Sequence, residues 1–314
     1  MLVTRRWPAS AEEALANLFD PTFNLADAPL TGGELAEALS VFDAVLPTVT
    51  DRIGADVLAG PEIQTRILAN YGAGVTHIDL EAARSQGVTV TNTPDVLTDA
   101  TADLAMTLLL MAARRAGEGE RQVRSGGWSG WRPTHMMGTQ VTGQSLGIIG
   151  MGRIGRAVAH RAVNGFGMEV VYFNRSPTDA GVPARALPTV EEVLRTADFV
   201  SLHVPGGAGN RHLIDESRLA MMKPQSILIN TSRGEVIDER ALAEALATGT
   251  ITGAGLDVYE KEPCVHPALL DLENVVLLPH LGSATNETRV AMGLRVVDNL
   301  VDFFAGRQPR DLVP

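Results

Sequence analysis

One cysteine, Cys264, is all that 314 residues provide, so no internal disulfide can brace the chain and a reducing cytoplasm is the expected compartment. It follows Glu262-Pro263 with no adjacent base, which is not the setting of a nucleophile. Long apolar runs are missing as well. The longest, Leu104–Ala113, is interrupted by Thr107 and is too short to cross a bilayer, so no membrane partner is expected. Met1–Ala11 carries Arg5 and Arg6 and has no apolar core, which argues against a secretory signal. Basic residues are in deficit: 26 Lys and Arg against 37 Asp and Glu leave a net charge of −11, the wrong sign for a nucleic-acid partner. Repeats and low-complexity segments are absent, and no metal site is expected.

What remains is an acidic globular chain, 45% hydrophobic and long enough for two domains. From Leu146 onward, short apolar runs alternate with helix-length connectors: Gly147–Ile149, Glu169–Phe173, Phe199–His203, Ile227–Asn230, Gly253–Asp257 and Val275–Leu278. That alternation predicts a doubly wound parallel sheet. Asp238 is placed to cap a helix over Glu239–Ala247, which Thr248-Gly249 ends. The N-terminal part alternates too, with strands predicted at Val41–Leu46, Ile67–Asn70 and Val88–Thr91 and a glycine-rich turn at Tyr71-Gly72-Ala73-Gly74. The chain is thus expected to be α/β, two Rossmann-like units with a cleft between them. A long apolar helix, Ala100–Arg115, capped by Thr98-Asp99, is expected between the units. The loop Ser125–Pro133 follows it, with Trp128 and Trp131 offered for a subunit contact.

Gly150-Met151-Gly152-Arg153-Ile154-Gly155 follows the first strand of the second half and opens a helix. A G-x-G-x-x-G turn in that context is a dinucleotide-binding fingerprint: its glycines allow a sharp turn, and a pyrophosphate can sit at the positive end of the following helix. NAD or NADP is therefore the expected cofactor. An NAD enzyme of this fold normally ends its second strand with a carboxylate for the ribose hydroxyls. Here Glu169–Phe173 runs into Asn174-Arg175-Ser176 instead. With no acid to repel a 2′-phosphate, and Arg175 and Ser176 able to bind one, NADP is expected to be preferred and NAD to remain possible.

Three ionisable residues fall just beyond predicted strands: Arg233 in Asn-Thr-Ser-Arg-Gly, Glu262 in Asp-Val-Tyr-Glu-Lys-Glu-Pro, and His280 in Leu-Pro-His-Leu-Gly-Ser. Ligands of open α/β sheets bind beyond the carboxyl ends of strands, so all three should face the cofactor. Reduction of a 2-keto acid requires a fixed cation for the carboxylate, an acid for the carbonyl oxygen and a partner that keeps that acid charged. Arg233, His280 and Glu262 supply that set, although each alone could be a surface charge or a strand-end cap.

These motifs, with Asn92-Thr93-Pro94-Asp95-Val96-Leu97-Thr98-Asp99 and Gly-Gly-Trp-Ser-Gly-Trp, make the whole chain resemble the D-isomer-specific 2-hydroxyacid dehydrogenases, most closely their glyoxylate/hydroxypyruvate reductase branch. The resemblance implies that Arg233, Glu262 and His280 are the substrate-binding arginine, the glutamate and the acid/base histidine. It implies a discontinuous substrate-binding domain, residues 1–98 with 288–314, around a dinucleotide-binding domain, 99–287. The last helix, beginning near Arg289, would return to the first domain. Amides of Ala73 and Gly74 would hold the substrate carboxylate. Asp257 would bond the nicotinamide carboxamide, and His203 and Pro205 would pass beneath the adenosine. Thr231, Ser232 and Gly282 would complete the cofactor set.

Trp131 matches a tryptophan that borders the partner subunit's active site in similar reductases, or else packs a homodimer. His77, preceded by Thr76 where the family often has Asp or Asn, reads as structural. Two other readings stay open: a formate dehydrogenase of the same fold, against which Glu262 argues because those relatives carry glutamine there, and a nucleotide-sensing corepressor.

Overall fold

The computed structural model describes residues 1–60 and 62–314. They divide into two compact units, Met1–Leu97 with Ser283–Pro314, and Thr98–Gly282.

The first unit is built on five parallel strands, β1 (Leu2–Val3), β2 (Thr22–Phe23), β3 (Ala44–Leu46), β4 (Ile67–Ala69) and β5 (Thr89–Thr91), in the order β2-β1-β3-β4-β5. Both faces are covered. Alternate residues of a strand point to opposite sides, so Val45, Leu68 and Val90 enter one core while Ala44, Leu46, Ile67 and Ala69 enter the other. The second core is closed by the helix Asn286–Phe304, which buries Met292, Val296, Val297 and Leu300. That helix starts three residues ahead of Arg289 because Thr285 caps it, accepting from the Thr288 amide at 3.2 Å. β1 and β2 went unread in the sequence because two residues carry no periodicity.

The second unit has seven parallel strands: β6 (Ser145–Ile149), β7 (Glu169–Phe173), β8 (Ala184–Ala186), β9 (Phe199–Leu202), β10 (Ile227–Asn230), β11 (Gly253–Leu256) and β12 (Val275–Leu277). Their order, β12-β11-β10-β9-β6-β7-β8, reverses between β6 and β9, the switch point of a doubly wound sheet. The same alternation fills both faces, with Ile149, Val200, Leu202, Leu228 and Leu256 on one side and Leu146, Ile148, Phe199, Ile227 and Ile229 on the other. All strands being parallel, their carboxyl ends lie along one edge.

Two helices differ from the sequence reading. The long apolar helix runs Thr98–Ala113, so Thr98 and Asp99 form its first turn and do not precede it. After Arg115, at φ 52°, a second helix spans Ala116–Arg124. Gly117 and Gly119 weaken its propensity, while charge pairs Arg115–Glu118 at 2.8 Å and Arg124–Glu120 at 2.5 Å stitch its exposed face. Among the described residues no helix is long and apolar enough to cross a membrane.

Candidate active site and nucleotide site

The fingerprint turn occupies the switch point. Gly150 has φ 99°, and a Cβ there would stand 2.5 Å from the carbonyl oxygen of His203, so only glycine lets β6 turn this close to the end of β9. Gly155 lies equally tight against the Gly150 carbonyl and Ile148, which seats the helix Arg153–Phe166 on the sheet. No side chain caps that helix, and beside its N-cap, Gly152, there is open space. A helix N-terminus with open space beside it suits an anion such as pyrophosphate.

Further along the same edge, Thr231 Oγ1 is buried without a hydrogen-bond partner, a polar atom waiting for a ligand group. These features fit a dinucleotide.

At the end of β7, Asn174 is spent on the protein itself. Its Oδ1 accepts from the Met151 amide at 3.1 Å and its Nδ2 donates to the Ser176 carbonyl at 2.9 Å, tying the fingerprint to the next loop. Arg175 and Ser176 in that loop are exposed. His203 bonds Ser201 Oγ at 2.8 Å, and burial pushes its imidazole down to about 4, leaving it neutral near pH 7 ahead of Val204-Pro205.

Arg233, Glu262 and His280 stand beyond β10, β11 and β12. Asn230, fully buried at the end of β10, donates to the Arg233 carbonyl at 2.9 Å and accepts from the Ser232 amide at 3.0 Å and its hydroxyl at 2.8 Å. The turn that presents Arg233 is therefore held from beneath. Burial pulls the guanidinium below its usual value, against the opposing charges of Glu262 and Glu235.

His280 Nδ1 meets Glu262 Oε2 at 2.7 Å, both side chains about a third exposed. With the carboxylate accepting, the proton sits on Nδ1, and Nε2 is the nitrogen turned away from Glu262. Burial alone would raise the Glu262 carboxyl, but the His280 hydrogen bond and charge, the Tyr259 amide at 3.1 Å and Arg233 outweigh it and hold it below the usual carboxylate range.

His280 has φ 55°, a conformation that a β-substituted residue adopts only when held. Asp257 holds it. Its carbonyl accepts from the His280 amide at 2.9 Å, and its carboxylate oxygens accept from Leu281 at 2.6 Å and Gly282 at 2.8 Å. Burial pushes the Asp257 carboxyl up; the two amides and His280 oppose this, and Glu262 adds to it. Sequence reasoning missed this clamp and the Asn230 one, because both depend on backbone groups that have no letter in the sequence.

In the other unit, the loop after β4 carries Ala73 and Gly74. Asn70 donates to the carbonyls of Gly72 at 2.9 Å and Gly74 at 3.1 Å, and Asn92 donates to that of Ala73 at 2.7 Å. In a trans peptide the N–H points opposite the C=O. Holding the Gly72 and Ala73 carbonyls on one side thus presents the Ala73 and Gly74 amides on the other. His77 Nε2 bonds Asn70 Oδ1 at 3.0 Å, which fixes which way that amide faces. Trp131 is 81% exposed and Trp128 53%, with Val123 and Met137 also open to solvent. Among the described residues no group of three or more His, Cys, Asp or Glu is set to hold a metal.

Residues 106–282 match the family model of the D-isomer specific 2-hydroxyacid dehydrogenase NAD binding domain. The chain is 46% identical to a glyoxylate reductase of Thermococcus litoralis over 287 residues, covering 90% of this chain and 86% of the relative. A glyoxylate reductase structure from Paecilomyes thermophila superposes with a TM-score of 0.89 at 32% identity, covering 100% of this chain and 97% of the other. An NADPH-dependent glyoxylate/hydroxypyruvate reductase from Sinorhizobium meliloti, solved with NADP and malonate, gives 0.89 at 34% identity, covering 99% and 95%. With more than half of its length in the family model and relatives aligned nearly end to end, the chain belongs to the D-isomer-specific 2-hydroxyacid dehydrogenase family, in its glyoxylate reductase branch, and is an oxidoreductase.

Proposed function

We propose that the protein reduces a small 2-keto acid, glyoxylate or hydroxypyruvate, to the 2-hydroxy acid, using NADPH in preference to NADH. The observation that carries this reading is the His280–Glu262 pair at 2.7 Å, on the same strand-end edge as Arg233 and the fingerprint turn. The nicotinamide, when bound, supplies hydride to C2.

His280 Nε2 gives a proton to the carbonyl oxygen, and Glu262 stabilises the imidazolium before transfer. Arg233 offers its planar fork to the carboxylate or carbonyl, and the Ala73 and Gly74 amides take the carboxylate. In this reading the unit Met1–Leu97 with Ser283–Pro314 serves substrate binding and the unit Thr98–Gly282 serves the dinucleotide.

Gly150, Gly152, Arg153, Ile154 and Gly155 hold the pyrophosphate, Arg175 and Ser176 the 2′-phosphate, and His203, Pro205, Thr231, Ser232 and Gly282 line the remainder. Asn174 acts by fixing the Arg175–Ser176 loop. Asp257 keeps the His280 turn in place and, with the cofactor bound, would also accept from the nicotinamide carboxamide. Trp131, 81% exposed, serves a homodimer working in the cytoplasm.

The deciding experiment is NADPH and NADH oxidation against glyoxylate, hydroxypyruvate and pyruvate, with NADP reduction by formate alongside. Turnover with glyoxylate or hydroxypyruvate, faster with NADPH, is the expected result. Cofactor binding without turnover of any of them would favour the corepressor reading, and turnover confined to formate would favour the formate dehydrogenase reading.

A further inference from the structure

Beneath Arg233 and Glu262, two acidic residues outside the site are paired. Glu239 opens the helix Glu239–Thr248 and is only 6% exposed. Its Oε1 accepts from the Glu260 amide at 2.6 Å, and Glu260 Oε1 accepts from the Glu239 amide at 3.1 Å. Helix capping does not explain Glu239, because Asp238 already caps that helix through the Ala241 amide at 3.0 Å.

Two carboxylates this close repel, and the surroundings offset it. His212 Nε2 lies 3.1 Å and Arg211 3.4 Å from Glu260 Oε2, and the His266 amide serves Glu239. Burial still pushes the Glu239 carboxyl above its ordinary range.

The two segments joined here are the ones that carry the site. Glu239 continues the Arg233 turn, and Glu260 stands two residues before Glu262. Gly234 shows how closely they meet, since a Cβ there would overlap the backbone of Tyr259 and Glu260. The Arg233 turn therefore rests backbone on backbone against the Glu262 loop.

We propose that Glu239 and Glu260 form a reciprocal clasp that holds the Glu262 loop on the Arg233 turn, so that both are positioning residues for the reduction. The inference rests on the roles given above to Arg233, Glu262 and His280. A misplacement of about 1 Å in such a group can cost about 10²-fold in rate.

The test compares Glu239→Ala, Glu239→Gln and, as reference, Glu262→Gln, each by kcat and KM for glyoxylate across pH and by fluorescence titration with NADPH. Glu239→Ala should lose kcat by roughly 10²-fold and move the alkaline limb of kcat/KM the same way as Glu262→Gln, with NADPH binding unchanged. Glu239→Gln keeps an acceptor for the Glu260 amide and should recover most of the loss. Glu260→Ala removes the other half of the clasp and carries the same expectations should Glu239→Ala fail to fold. A folded Ala variant with wild-type kcat and pH profile, or with a lowered Tm alone, overturns the clasp. If Glu262→Gln shifts the profile and Glu239→Ala does not, only the clasp falls; if Glu262→Gln itself has no effect, the site reading falls with it.

Discussion

Replacing Glu262 by glutamine isolates the charge of the His280 partner, because the amide keeps the size of the side chain and an oxygen acceptor for the imidazole. The pair is close, 2.7 Å from Nδ1 to Oε2, with both side chains about a third exposed. Opposite charges roughly 4 Å apart are worth about 1 kcal/mol in water and about 4 kcal/mol at a protein surface. Exposure to a third places this pair near the middle, about 2 kcal/mol. At about 1.4 kcal/mol per factor of ten, kcat/KM of Glu262→Gln should fall by roughly 30-fold on the alkaline side, where the carboxylate no longer favours the imidazolium, so activity is lost at lower pH than in wild type. The acid side has the opposite sign. The wild-type carboxyl is held below its usual range, so the stability it adds is present above the ordinary carboxylate pKa and is lost as pH falls through its lower folded value. Wild type should therefore exceed the variant in stability near neutrality and converge with it in acid. The assay is kcat/KM for glyoxylate at saturating NADPH across pH, with denaturant titrations at neutral and acidic pH. An alkaline limb unmoved in Glu262→Gln would refute the pairing as a source of acid–base control.

His280→Ala should lower kcat by about 10²–10⁴-fold while NADPH titrates normally, and near wild-type turnover would remove it as the acid. Arg233→Lys keeps the charge but not the fork, so KM should rise and kcat fall together by about tenfold or more; unchanged kinetics would show that orientation by the guanidinium is not needed. Arg175→Ala should erase most of the NADPH preference, about tenfold for one charge-assisted contact at an exposed position, read as kcat/KM for NADPH against NADH. Equal use of both cofactors by the wild type would show that this loop does not read the phosphate.

The second sheet was legible because a parallel strand covered on both faces reads as a run of apolar residues, and six of its seven strands are such runs. β8, Ala184–Ala186, is an edge strand with Arg185 and Ala186 exposed, so no apolar run announced it. The helix Ala116–Arg124 was missed for a related reason. It buries no residue and carries two glycines, so its sequence shows neither an apolar stripe nor high propensity. The helix Glu239–Thr248 was legible at both ends, since Asp238 caps it and Gly249 takes the left-handed φ of 72° that ends it.

Within the site, the residues that sequence reading singled out carry unusual chemistry at strand ends, whereas the residues that hold them carry ordinary chemistry in unusual places. Asn230 reads as a turn former, Asp257 as a strand-end charge and Glu239 as a favourable first-turn acid. What distinguishes them is burial together with a backbone partner: Asn230 and Asp257 are fully buried and Glu239 nearly so, and each bonds an amide or carbonyl of a segment that carries Arg233, Glu262 or His280. Backbone groups are the same at every position, so a sequence cannot show which amide a side chain will meet. The positive φ of His280 follows the same logic, since nothing in Leu-Pro-His-Leu-Gly requires it and three hydrogen bonds to Asp257 impose it. A rigid acid–base pair therefore depends on buried polar groups that gain their meaning only once the parallel strands have brought their ends together.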